Sequence, residues 1–220
     1  MAETTRAEQM KQTVASKVKG IDMYNPDNLK TLEMYVEIQS QENAYDLEAN
    51  LAVLKLYQFS QNYDIKITCQ ILMKALTNFP HTDFILCKCL LNEQLTKEHP
   101  ISQIIYLADI LECCDFQLFW DQVYKMSDLT SQITGFHDSI RKFVCHVVGI
   151  SFQTIQRPLL AQLLGGVDDN VLRFWVQKYG WKEESNNIIF IANQDENVKT
   201  KNITEKIDFD GVASLMASCR

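Results

Sequence analysis

The sequence predicts a mostly α-helical protein: a helical-repeat arm of HEAT/TPR-like type, then a winged helix with a small β-hairpin, then a C-terminal helix. Three observations carry that prediction. Apolar residues recur at helical spacing from Leu29 to Val148. Glycine and proline number only seven and four in 220 residues, too few to punctuate a loop-rich fold. Near the end, two short apolar segments, a Gly-Gly break and a β-branched run follow one another in the order of a winged helix.

Met10, Val14 and Val18 step along a frayed lead-in helix that Gly20 stops. Asn25 caps the next helix and Pro26 suits its first turn, with Leu29, Leu32, Tyr35 and Val36 as the apolar stripe. Past the polar joint Ser40–Asn43, Leu47, Leu51, Val53, Leu54, Leu56 and Tyr57 give a face wide enough to be covered from more than one side. Ile67, Ile71, Leu72, Ala75 and Leu76 mark a fourth helix, punctuated by Pro80.

The same pattern continues. Phe84, Ile85, Leu86, Leu90 and Leu91 form a helix starting near Thr82. His99-Pro100 opens one carrying Ile101, Ile104, Ile105, Ala108 and Leu111. Asp115 caps Phe116, Phe119, Trp120 and Val123, and Thr134 caps a longer helix with Ile140, Phe143, Val144, Val147 and Val148. About seven amphipathic helices thus precede the winged helix, without a fixed-period repeat. Irregular helix hairpins of this kind stack as a right-handed solenoid, with a compact bundle as the alternative.

Leu159 to Leu164 reads as a short helix ended by Gly165 and Gly166, whose freedom at positive φ suits the positions just past a helix. Asp168 caps the following helix, with Val167 and Leu172 spaced as a hydrophobic staple. Val171, Leu172, Trp175, Val176 and Tyr179 share its core side until Gly180. Ile188–Ile191 reads as a buried strand, and Asn193–Asn197 as the tip of a hairpin returning through Val198. Asp208 or Asp210 caps a last helix with Val212, Leu215 and Met216 on one side. So short a helix needs something to lie against. The expected organisation is a polar lead-in at 1–20, a helical-repeat domain at 21–134, a winged helix at 135–206 and a C-terminal helix at 207–220.

Composition narrows the function. The 21 basic and 28 acidic residues give a net charge of −7, whereas nucleic-acid binding calls for a basic face. From Leu159 to Arg220 there are seven basic and nine acidic residues. No apolar run is long enough to span a bilayer, and the N-terminus lacks the apolar centre of a signal peptide, so a cytoplasmic protein is expected, with room for a nuclear pool. The seven cysteines show neither a disulfide framework nor zinc-knuckle spacing, and read as reduced thiols packed as small apolar groups. His81 and His99 sit beside prolines at helix starts, and His137 and His146 lack acid–base partners in sequence. With no G-x-S-x-G, no phosphate-binding glycine loop ending in Lys-Ser/Thr and no H-E-x-x-H, no catalytic residue, cofactor or metal is expected.

What stands out is the outward side of the second helix of the winged helix. It carries Asn170, Arg173, Phe174 and Gln177, and an outward aromatic beside an arginine is the signature of a protein contact. The alternative is that Phe174 folds onto the wing or the preceding helix. Val212, Leu215 and Met216 are the second set of expected contacts.

Four long segments, Glu42–Phe59, Ala75–Leu91, Arg141–Ile150 and Glu205–Ser218, resemble the subunit K family of eukaryotic translation initiation factor 3. The likeness runs from about Gly20 to the C-terminus. It implies the PCI-type fold shared with proteasome-lid and COP9-signalosome subunits, and a non-catalytic role in a multisubunit factor that binds the 40S ribosomal subunit. It further implies the other subunits of the factor as partners, chiefly subunit L, met through winged-helix edges and C-terminal helices. An RNA-binding winged helix, or the matching subunit of a related lid-type complex, is the alternative.

Overall fold

The computed structural model describes residues 5–184, 187–194 and 209–218. Among them are thirteen α-helices and one three-stranded antiparallel sheet. The first helix, α1 (Arg6–Lys17), is not a frayed lead-in. Thr5 and Glu8 form a reciprocal capping box at its start, and Ala7 and Val14 are buried. The Ala7 amide donates to Glu42 Oε2 at 2.9 Å, which ties α1 to the end of α2 (Leu29–Gln41). Between them the chain makes two short 3₁₀ turns, and the Asn25 side chain accepts from the Asp27 amide, the cap expected there.

Asp46 and Asp64 then cap α3 (Leu47–Ser60) and α4 (Ile65–Leu76) through amides three residues on. Helix α4 is the axis of the arm: each residue from Ile67 to Leu76 is buried, because α2, α3, α5 (Asp83–Cys89) and α7 (Ile101–Glu112) pack around it. A helix apolar on one side only would leave its other side wet. Here even Lys74 is drawn inside, at 2% exposure, with Nζ 3.5 Å from Asn43 Oδ1.

Helix α6 (Glu93–Lys97) packs against α7, and α7 packs on α8 (Phe116–Lys125), which Asp115 caps as expected. Helix α9 (Ser127–Thr130) leads to α10 (Phe136–Ser151). Helices α6 and α9 escape a periodicity reading because five and four residues hold barely a turn each. Two local expectations also fail. Ile85 and Leu86 face solvent instead of the core, since the one-sided cover of α5 reaches only Asp83, Phe84 and Cys87. Gly135, not Thr134, is the N-cap of α10. The Thr134 amide donates to the Ser40 carbonyl, and Gly135 takes φ +75° against the side chain of Asn43. Helix α2 packs on α1, α3 and α4, α4 on α3, α5 and α7, and α7 on α6 and α8, the stacking of a helical repeat, and one continuous core runs from Val14 to Ile191.

The winged helix follows α10 as β1 (Thr154–Gln156), α11 (Arg157–Leu163), α12 (Asp169–Lys178), β2 (Lys182–Glu184) and β3 (Ile188–Phe190). The sheet order is β1-β3-β2, with Ile155 opposite Ile189 and Glu183 opposite Ile189 on the other side. The expected hairpin is real but displaced. β3 pairs back onto β2 across a turn that includes Asn187 at φ +59°, and the return expected through Val198 lies outside the described residues. Asn193 and Gln194 lie past the sheet, where the Gln194 amide donates to the Gly149 carbonyl, while residues 195–198 lie outside the described residues.

Three side chains of α8 and α10 hold the end of α11. The last carbonyls of α11 have no partner within the helix. The Leu163 carbonyl accepts from Trp120 Nε1 at 2.8 Å, the Leu164 carbonyl from Arg141 Nε at 3.1 Å, and the Gly165 carbonyl from the Tyr124 hydroxyl at 2.7 Å. The C-terminal helix α13 spans Phe209–Ser218, so Asp210 lies inside it, and Asp208 is outside the described residues.

Candidate interaction surface

Helix α12 owes its direction to its two ends. Asp168 Oδ1 accepts from the Val171 amide at the start, and Gly180 at φ +68° closes the far end. Leu172, Trp175 and Val176 are buried between them, which fixes the opposite side outward. All four α12 residues expected at a contact, Asn170, Arg173, Phe174 and Gln177, are exposed on that side.

Phe174 does not fold onto the wing or onto α11. Among the described residues it stays 57% exposed, and its one ring partner is the edge of its chain neighbour Trp175, at 5.6 Å and 79°. Lys178, one turn on, holds Nζ 5.4 Å from the Phe174 ring centre and 4.5 Å from that of Trp175. An ammonium over two rings is restrained without being neutralised. Beyond it, Tyr179 stacks on both Trp175 and Trp181 and sends its hydroxyl to the Lys142 carbonyl, so the aromatic row is anchored to α10.

The charge on this face differs from that of the chain as a whole. Arg157 reaches Asp169 Oδ1 at 3.2 Å and Glu183 Oε1 at 3.0 Å, and its own amide donates to the Asn187 carbonyl. One guanidinium therefore offsets a carboxylate at the start of α12 and another on the wing. Sequence reasoning missed Arg157, because its partners lie 12 and 26 residues away and no local pattern announces them.

Val212 and Met216 of α13 are also exposed, at 41% and 71%, while the Leu215 side chain lies outside the described positions. Ile150, at the end of α10, is a further exposed apolar residue at 64% that the helical stripe of α10 did not single out.

The described thiols fall into a buried set and an exposed one. Burial pushes the thiols of Cys69, Cys87 and Cys145 up to about 11, 12 and 12, which keeps them protonated. Cys89, Cys113 and Cys114 are exposed, so packing as small apolar groups describes only half of the described cysteines. His81, His99 and His146 are exposed, and His137 stacks on the Trp120 ring at 5.9 Å. Among the described residues, no three metal-ligating side chains cluster, and no helix is long and apolar enough to cross a membrane.

The family model for CSN8/PSMD8/EIF3K matches residues 62–202. The chain is 66% identical to eukaryotic translation initiation factor 3 subunit K of Bombyx mori, over 97% of this chain and 98% of that one. It is 58% identical to the Homo sapiens protein of the same name, over 96% and 97%, and 56% identical to that of Danio rerio, over 97% and 98%.

Proposed function

The chain belongs to the CSN8/PSMD8/EIF3K family, on its subunit K branch, and from that premise we propose that it works in eukaryotic translation initiation factor 3 as a scaffold, without a reaction of its own. The observation that carries the reading is Phe174: a large aromatic held outward by a buried Leu172–Trp175–Val176 stripe, with cations on either side. Leaving such a ring in water is unfavourable, and covering it with another polypeptide recovers that free energy.

In this reading α12 and α13 are two docking elements, with Asn170, Arg173, Phe174 and Gln177 on one and Val212, Leu215 and Met216 on the other. The other subunits of the factor, chiefly subunit L, are the partners, and the 40S ribosomal subunit is met through the assembled factor. The work is cytoplasmic. Direct nucleic-acid binding is weak or absent, because Asp168 and Asp169 stand where a winged helix would meet a phosphate backbone.

Truncation of Ile207–Arg220 and the single change Phe174→Ala test the reading separately. Each is expected to weaken co-purification with the other factor subunits while the arm keeps its helical signal in circular dichroism. Undiminished incorporation of both variants would overturn the docking roles. Retention of the intact, isolated chain on RNA at low salt, with a steep loss as salt rises, would favour the RNA-binding alternative instead.

A further inference from the structure

Three carboxylates at the start of α12 and on the wing are already engaged. Asp169 is four residues before Arg173, the spacing at which an acid and a following base pair along a helix. It pairs instead with Arg157, from Nη2 at 3.2 Å and Nε at 3.4 Å. Glu183 is held by the same guanidinium, and Asp168 Oδ1 is taken by the Val171 amide. Among the described residues, neither Arg173 nor Lys178 has a carboxylate within ion-pair distance. A chain of net charge −7 therefore presents, around its exposed Phe174, two cations without a carboxylate partner among the described residues.

We propose that this face takes an acidic segment of a partner polypeptide, a bulky apolar side chain of that segment seating on Phe174 and its carboxylates reaching Arg173 and Lys178. The inference rests on the reading of α12 as a docking face and supplies the chemistry of what docks. Opposite charge around one apolar anchor sets register and partner choice, while the acidic remainder of the chain repels the same segment elsewhere. Lys178 suits the role because its rings already hold it in place, so less side-chain freedom is lost when the pair forms. A nucleic acid is the weaker fit. Two cations neutralise few phosphates, whereas one exposed ring between them suits a single apolar side chain.

The test places a photoreactive benzoylphenylalanine at position 174 of the full chain, incorporated into initiation factor 3 in cells, and sequences the crosslinked peptide. A peptide rich in Asp and Glu around a Leu, Phe or Trp is expected. A neutral or basic peptide, or a crosslink to RNA, overturns the inference. In parallel, the double variant R173E/K178E should weaken incorporation into the factor about tenfold or more at low salt, with the deficit shrinking as salt rises. Phe174→Ala should weaken it at every salt concentration. If Phe174→Ala weakens incorporation and the charge reversal does not, the acidic partner is wrong and the docking face stands. If neither does and no polypeptide is crosslinked, the docking face itself is wrong. All three side chains are exposed, so unchanged melting temperatures will show that each variant is folded.

Discussion

A Cβ added to Gly165 would lie 2.8 Å from Cδ2 of Trp120, inside any real carbon–carbon contact. The backbone there takes φ +94°, and its carbonyl receives the Tyr124 hydroxyl, so the turn between α11 and α12 is pressed against the arm. Gly166 is also at positive φ, +66°, yet a Cβ there meets nothing within 4 Å. Adjacent glycines thus serve different ends, one for close approach and turn, the other for the turn alone.

Gly165→Ala should therefore cost more than Gly166→Ala. The second change carries only the left-handed penalty, about 1 kcal/mol. The first adds overlap with a buried indole, for a total of about 2–4 kcal/mol. Urea denaturation of the two variants checks the difference. Equal midpoints would mean that the indole yields freely and that the contact constrains nothing.

Trp120→Phe keeps much of the ring packing and removes the donor to the Leu163 carbonyl. An abandoned carbonyl at a part-buried helix end should cost about 1–3 kcal/mol. Tyr124→Phe removes a hydroxyl whose acceptor is more exposed, where water can take its place, so the loss should be smaller. A Trp120→Phe variant as stable as the parent would show that the carbonyl finds another partner.

Lys74 offers a prediction about pH. Burial alone pulls its ammonium down from 10.5 to about 8, and its one polar contact, Asn43 Oδ1 at 3.5 Å, is long. The folded protein thus releases this proton more readily than the unfolded chain does. Stability should rise as pH climbs from about 8 toward 10.5, and the cost of the buried charge, on the order of 3 kcal/mol, is carried at pH 7. Lys74→Met, close in length and uncharged, should raise stability at pH 7 by roughly 1–3 kcal/mol and flatten that slope. Chemical denaturation at pH 7 and 9.5 decides it: a destabilised Lys74→Met variant would mean that the ammonium is well solvated in place.

Much of this architecture is legible in the sequence, and what escapes it is short, or lacks an apolar pattern, or is paired from afar. The Asp115 cap and the wide Leu47–Tyr57 face are local features, so a reader of residues finds the long helices, and the Gly-Gly break with Asp168 locates α12. The strands are different. Lys182–Glu184 is exposed throughout and has no apolar residue to alternate, and Thr154–Gln156 buries only Ile155. Only their backbone pairing with β3 makes them strands: β1 meets it from a distant part of the chain, and β2 meets it in a hairpin that no alternation announces. On the docking face, the outward placement of Phe174 follows from helical spacing. The freedom of Arg173 does not, because it depends on Arg157 capturing Asp169 from another helix.

His137 provides the last prediction, on the acid side. Its half-buried ring lies almost parallel to Trp120, at 5.9 Å and 12°. Burial lowers its pKa first, and the neighbouring Arg141 guanidinium lowers it further, with Asp138 opposing them. A histidine depressed in the folded state takes its proton more readily when unfolded. Its contribution is then present above the unfolded value of about 6.5 and is lost as pH falls through the lower folded value. The same guanidinium caps the Leu164 carbonyl, so an imidazolium beside it works against the joint between the arm and the winged helix. Melting temperature should decline as the pH is lowered below about 6.5, and a His137→Phe variant, which keeps the stack without the charge, should lose less over the same interval. Identical acid profiles for the two proteins would remove His137 from the account and leave the carboxylates to explain the loss.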